Sequence, residues 1–197
     1  SLYRLAQSWQ NAKSLDDVYA AALDAITSAL HTDRASILLY DGEQVMRFVA
    51  WRGLSAKYRK AVEGHSPWKP GTKNPQPVCI SDVNHAELPK SLKAVIRAEE
   101  IRGAAFIPLV IEGKLAGKFM MYHRVPHLFT DAELDLAMTI ARQLGQAIEH
   151  EKDQQALRER ERELARELQD QKQLQKISSQ LITQQKIETI YTQIVEA

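Results

Sequence analysis

The chain has 197 residues, 44% hydrophobic and 26% charged, with 26 lysines and arginines against 25 aspartates and glutamates for a formal net charge of +1. This is a globular composition with room for one domain and an appendage, and its balanced charge excludes nucleic-acid binding through an uncompensated basic face. The single cysteine, Cys79, excludes an intramolecular disulfide and a multi-cysteine zinc cluster, and no apolar run is long enough to cross a bilayer.

No charged-then-apolar leader opens the chain, so the cytoplasm is the expected compartment, with Ser1 read as a trimmed start that would hide such a leader. In "SLDDVYAAALDAITSAL", Ser14 is the expected helix N-cap and Asp17 lies three residues on. Val18, Ala22, Ala25, Ile26 and Ala29 then recur at helical spacing and predict a buried face. "ASILLY" and "EQVMRFVAW" are β-rich runs joined at Asp41-Gly42, the residue pair of a tight hairpin. "SAKYRKAVEG" reads as a short helix ended by Gly64. The four prolines of "HSPWKPGTKNPQP" forbid a continuous helix or central strand and leave a loop.

"VCISDV" follows as a short strand, and "LPKSLKAVIRAEEI" as a helix with Pro89 at its start. "GAAFIPLVI" and "KLAGKFMMYH" form a second hairpin around Glu112-Gly113. The last helix of the domain opens on Thr130 and Glu133 in capping-box spacing, with Leu134, Ala137, Ala141, Leu144 and Ile148 facing a core. Two hairpins separated by helical excursions predict an α+β fold with a central antiparallel sheet rather than a doubly wound parallel one.

After Ile148 the character changes. "EKDQQALRERERELARELQDQKQLQ" contains no Gly or Pro, is dense in helix formers, and sets opposite charges three apart, as at Arg158/Glu161 and Glu163/Arg166. Its apolar residues form a thin seam, Leu157, Leu164, Leu168, Leu174, Ile177 and Leu181, whose heptad-like spacing slips by one residue between Leu168 and Leu174. So polar a helix has little to bury alone, and a parallel partner helix is the expected arrangement; an isolated helix held by its own ion pairs is the competing one. Leu5 to Ala25 also lies over Ile177 to Ala197 in pattern. Trp9 falls on Leu181, Leu15 on Ile187, Val18 on Ile190, Tyr19 on Tyr191 and Leu23 on Val195. The expected organisation is a domain over 1–150, a charged helical linker over 151–176, and over 177–197 the truncated first helix of a second, similar domain, or else a helix of an unrelated one.

Three stretches carry a family resemblance: "GHSPWKPGTKNPQPVCISDV", "IRGAAFIPLVIEGKLAGKFMMYH" and "FTDAELDLAMTIARQLGQAIEHE". From about Leu5 to Glu149 the chain resembles a bacterial GAF domain of the signalling type, as found in sensor histidine kinases and related multidomain proteins. The resemblance implies a GAF/PAS-like antiparallel sheet with helices on one face, a ligand pocket under the other, and pairing through terminal helices. It carries no catalytic signature. Covalent bilin attachment is not expected, because Cys79 is followed by Ile80 on a strand rather than by His or Leu on a helix. The Asn-Lys-Phe-Asp-Glu set of cyclic-nucleotide binders is not seen, and one thiol cannot close a methionine-sulfoxide-reducing cycle. The cofactor or ligand stays unassigned.

His65 and Trp68 are candidate ligand-binding residues, one as a hydrogen-bonding imidazole and one as a stacking indole, in a loop stiffened by Pro67 and Pro70. The alternative has Trp68 plugging the core and His65 bonding a backbone carbonyl. Phe106, Met120 and Tyr122 are further candidates on the second hairpin. Alternation puts Met120 and Tyr122 opposite Met121 and His123, without saying which face meets a cavity. His123 and His127 lack a third ligand nearby, so no metal site is expected, and Cys79 reads most simply as a small buried hydrophobe. No triad or carboxylate pair supports catalysis. The expected function is a regulatory small-molecule-sensing domain. It would form a parallel homodimer through Leu144, Ile148, Leu157, Leu164, Leu168, Leu174, Ile177 and Leu181, and signal to an output domain of the same polypeptide. The alternative is a ligand-free dimerisation scaffold; a cryptic enzyme would need clustered polar groups with perturbed pKa values in the cavity.

Overall fold

The structure, a computed structural model, describes residues 14–32 and 34–195, with side chains as far as Leu181 and at Lys186. Its elements follow the expected order: α1 (Leu15–Ala29), β1 (Arg34–Tyr40), β2 (Met46–Arg52), α2 (Ala56–Val62), β3 (Val78–Ile80), α3 (Lys90–Ala98), β4 (Gly103–Ile111), β5 (Lys114–His123) and α4 (Asp131–Val195). The strands form one antiparallel sheet in the order β2-β1-β5-β4-β3. The N-terminal half of the Leu5–Ala25 comparison and the side chains of Ile187, Ile190, Tyr191 and Val195 lie outside the described residues.

Local chemistry explains the element ends. The Asp17 amide donates to Ser14 Oγ at 3.2 Å, capping α1. At α4 the Glu133 amide donates to Thr130 Oγ1 at 3.3 Å while Glu133 Oε2 accepts from the Thr130 amide at 2.8 Å, a reciprocal capping box. Thr130→Ala is expected to cost about 1 kcal/mol, read as a lower urea midpoint with unchanged slope. The β4–β5 turn is the tight one expected, with positive φ at both Glu112 and Gly113. The β1–β2 connection is not. It spans residues 41–45, and its positive φ falls on Gln44 rather than Gly42. The Asp41 carboxylate organises it, accepting from the amides of Glu43 and Val45 at 2.9 Å each. A side chain that mimics a backbone acceptor lets a longer loop close where two residues were expected.

Strand alternation sends two distinct sets of side chains to the two faces. On the first face, Ile37, Leu39, Ala105, Ile107, Leu109, Phe119 and Met121 pack with Val18, Ala22 and Ile26 of α1 and with Ala137, Ile140, Ala141, Leu144 and Ile148 of α4. On the second, Leu38, Met46, Ala104, Met120 and Tyr122 pack with Tyr58 of α2, Ile96 of α3, and Leu54, Val83 and Ile101. Leu144 and Ile148 are thus fully buried in the domain's own core, so they anchor α4 to the sheet and are not free to contact a partner chain. Cys79 also departs from expectation. It is exposed, because β3 is a three-residue edge strand whose Val78 and Ile80 turn to the other face.

The described chain divides into two compact units, one through Lys152 and one from Asp153. In the second, Leu157, Leu164, Leu168, Leu174, Ile177 and Leu181 are 53% to 65% exposed.

Candidate functional site

The two sheet faces differ in chemistry. The first buries apolar side chains in the central strands, with only His123 at the end of β5 polar, whereas the second carries Arg34 and Ser36 of β1 and Lys118 and Tyr122 of β5, all buried. Register places these groups: Arg34 pairs Tyr122, Ser36 pairs Met120, and Leu38 pairs Lys118, with Phe106 of β4 opposite Met120 on the other side. A buried polar group stays stable only where it finds hydrogen-bond partners, so each of them can be accounted for in turn.

At one end, the Tyr122 hydroxyl meets Ser36 Oγ at 2.8 Å and donates to Met120 Sδ at 3.3 Å, and the Tyr58 ring stands edge-on to it at 6.0 Å. Burial pushes the Tyr122 phenol up; it also pushes up that of Tyr58, with Tyr122 adding to the effect. Arg34 Nη1 donates to the Glu99 carbonyl and Nη2 lies 3.8 Å from Glu100 Oε2, while Nε is buried with no hydrogen-bond partner. The Glu99 carboxylate accepts from the Ser55 amide and hydroxyl at 2.6 Å each. Glu99 therefore ties the start of α2 to the end of α3. A groove of about 490 Å³ opens beside these helices, lined by Tyr58, Ala61, Ala94, Val95, Ala98 and Glu99 among others.

At the other end stands Lys118, 2% exposed. Its Nζ donates to the His65 carbonyl at 2.5 Å and lies 5.1 Å from the centre of the Phe106 ring. No carboxylate pairs with it among the described residues, and burial pulls its ammonium down to about 7. Above it runs the proline-rich loop. The Gly64 amide donates to the Met46 carbonyl at 3.0 Å, and Tyr40 Oη donates to the Trp68 carbonyl at 3.3 Å.

The sequence-derived candidates separate in this setting. Phe106, Met120 and Tyr122 share the second face, with Met120 and Tyr122 buried and Phe106 half-buried. His65 has an exposed ring, and its backbone carbonyl makes the contact to Lys118. Trp68 is half-buried and donates its indole N–H to the Gln76 carbonyl within the same loop at 3.2 Å. Arg34, Ser36, Tyr58 and Lys118 escaped the sequence reading. Lys118 had a signal: it is the one charged residue between Leu115 and Tyr122, at period-two spacing from Met120 and Tyr122. His123 and His127 stack at 4.0 Å, and His127 Nε2 bonds Glu133 Oε1 at 2.9 Å. Among the described residues no group of three or more potential ligands gathers to hold a metal.

A family model described as GAF domain matches residues 12–149. Among solved structures, a domain described as that of a two-component sensor histidine kinase protein from Sinorhizobium meliloti 1021 is 49% identical. It aligns with a TM-score of 0.70 over 75% of this chain and 99% of its own. The GAF domain of a phosphoenolpyruvate-protein phosphotransferase from Coxiella burnetii is 21% identical, with a TM-score of 0.63 over 79% of this chain and 94% of its own. The GAF3 domain of a Synechocystis sp. PCC6803 protein, solved in its photoproduct state, is 22% identical, with a TM-score of 0.59 over 74% and 98%. The latter two support the fold alone. No curated protein matches the chain.

Proposed function

Since this chain belongs to the GAF domain family, we propose that it is a regulatory domain that senses a small molecule and passes its state through α4 to an output domain of the same polypeptide. GAF domains are signalling domains rather than catalytic ones, and the Sinorhizobium neighbour is described as part of a sensor kinase protein. The observation that carries the sensing reading is the second sheet face. Burying Arg34, Ser36, Lys118 and Tyr122 on one side of a small sheet costs stability that an apolar face would not cost, which fits a face kept for recognition. On this reading Phe106, Met120 and Tyr122 line the site, and His65 and Trp68 belong to its cover. No helix among the described residues is long and apolar enough to cross a membrane, and we place the domain in the cytoplasm.

The transmission step rests on the exposed seam from Leu157 to Leu181, which we read as the contact of a parallel homodimer. Residues 151–176 are then the linker, and 177–197 the first helix of a second similar unit, by their likeness to Leu5–Ala25. Light scattering is expected to show a dimer that Leu168→Asp weakens by on the order of a hundredfold, since a charge replaces a buried leucine on each helix. A monomeric wild-type chain at tens of micromolar would end the paired-helix reading. Native mass spectrometry of freshly purified protein tests sensing separately: a retained small molecule supports it. The scaffold alternative draws on Trp68 satisfying its indole inside its own loop and on the complete burial of Tyr122, and a chain that never retains a ligand would favour it.

A further inference from the structure

Lys118 has three N–H donors and one acceptor, the His65 carbonyl, in a place almost without solvent. Its cross-strand neighbours Leu38 and Pro108 and the nearby Phe106 offer no negative charge. An ammonium in that position carries an uncompensated desolvation cost of several kcal/mol. The cover above it is held to the sheet by few bonds: those from Lys118, Tyr40 and the Gly64 amide. Gly64 and Gly71 there have φ of +80° and +79°, conformations that leave the chain free of side-chain strain where it bends. The His65 carbonyl thus occupies the position where an anionic oxygen would bind better, because a charge-assisted bond is stronger than one to a neutral acceptor.

We propose that Lys118 marks a binding site for a small carboxylate with an apolar body, whose carboxylate takes the place of the His65 carbonyl at Nζ and so displaces the 64–77 loop. This inference rests on the sensing reading above and names the ligand class of that same face. A monoanion neutralises the one cation at this end of the face, Arg34 lying at the other, whereas a phosphate dianion would leave a net charge in the same low-dielectric setting. The apolar body follows from the neighbours of Lys118 in the sheet: Leu38 and Pro108 pair with it across the strands, Met120 lies two residues on along β5, and the Phe106 ring centre is 5.1 Å from Nζ. Occupancy is coupled to loop position because one acceptor site is shared.

The test uses the full chain and sodium benzoate as probe, followed by amide NMR at matched ionic strength, with sodium chloride and the neutral benzyl alcohol as controls. Benzoate is expected to shift the amides of residues 64–77 and Phe119 saturably, and Lys118→Met to weaken binding roughly tenfold or more. In the wild type alone, affinity is expected to fall between about pH 6 and 9 as the amine loses its proton. The titratable side chains on this face of the sheet and its cover are Arg34, Tyr40, Tyr58 and Tyr122, with His65, Lys69 and Lys73 in the loop. α2 and β5 add Lys57, Arg59, Lys60, Lys114 and His123, and the carboxylate beside the loop, Glu63, pairs with Arg47 at 3.0 Å and not with Lys118. Equal benzoate affinity in Lys118→Met, a flat pH profile, or no saturable shift at all overturns the carboxylate site. Benzyl alcohol binding as tightly as benzoate overturns the anion class while leaving a small-molecule sensor standing. A retained ligand in native mass spectrometry together with no benzoate effect separates failure of this inference from failure of the sensing reading.

Discussion

Gly117→Ala is expected to destabilise the domain by roughly 3 kcal/mol or more, the upper end of overpacking effects. Gly117 lies on β5, the central strand, paired on one side with Leu39 of β1 and on the other with Leu109 of β4. A Cβ at this position would run into the Leu38 carbonyl oxygen and come within 2.7 Å of Leu39 Cδ2 and 3.0 Å of Leu39 Cα. The leucine methyl can turn away, but the β1 backbone is held by strands on both sides and cannot. Relief requires parting β1 from β5, which breaks the ladder beneath both cores. Urea unfolding followed by far-UV circular dichroism reads the effect as a lower midpoint. A variant within about 0.5 kcal/mol of wild type would show that the two strands do not approach this closely.

Lys118→Met is expected to stabilise the fold near neutral pH and to remove a pH dependence. Burial pulls the Lys118 ammonium from the ordinary lysine range near 10.5 down to about 7. Between those values the unfolded chain holds a proton that the folded chain has lost, so wild-type stability rises with pH across that window. At about 1.4 kcal/mol per unit, the rise is on the order of 3–5 kcal/mol. Below pH 7 the folded protein keeps the charge and carries its full desolvation cost. Methionine preserves length and removes the charge, while loss of the bond to the His65 carbonyl offsets about 1 kcal/mol. The net gain at about pH 6–7 is therefore about 1–4 kcal/mol, shrinking toward pH 10. Urea midpoints for both proteins across this range should converge at the alkaline end. A variant less stable than wild type at pH 6, or a wild type flat between pH 7 and 10, would show that the ammonium is compensated where it stands.

The order of helices and strands was legible because each carries its own periodicity and its own end signals. Ser14, Thr130 with Glu133, and Glu112-Gly113 act over three or four residues; in the structure the two caps make the expected bonds and the turn pair takes the positive φ it needs. The connection after β1 was misjudged at Asp41-Gly42 because the pair is compatible with two loops. The Asp41 carboxylate's reach to Val45 selected the longer one. The family was legible for a related reason: its pattern is a string of such local segments, and the matched residues 12–149 span them.

The site was legible only in part. Phe106, Met120 and Tyr122 were singled out as candidates because large side chains on an alternating strand must face a core or a cavity, and the structure has them on the polar face. Lys118, Arg34 and Ser36 were passed over because polar residues on strands ordinarily face water, and nothing local says that α2, α3 and a proline-rich loop cover that face. Leu144 and Ile148 were grouped with the exposed seam because one apolar line runs along the helix in sequence. Burial against the sheet divides that line, and only the residues from Leu157 onward are left open.

The residue sequence by itself determined the α+β class, the element order and the family, since periodicity, caps and turns are set by neighbours in the chain. Tertiary structure alone decided which sheet face is polar and what lies over it. A residue's dielectric surroundings depend on groups far away in sequence, here 53 positions between Lys118 and the carbonyl of His65. Burial beneath that loop, not anything in its own strand, is what pulls the Lys118 ammonium down.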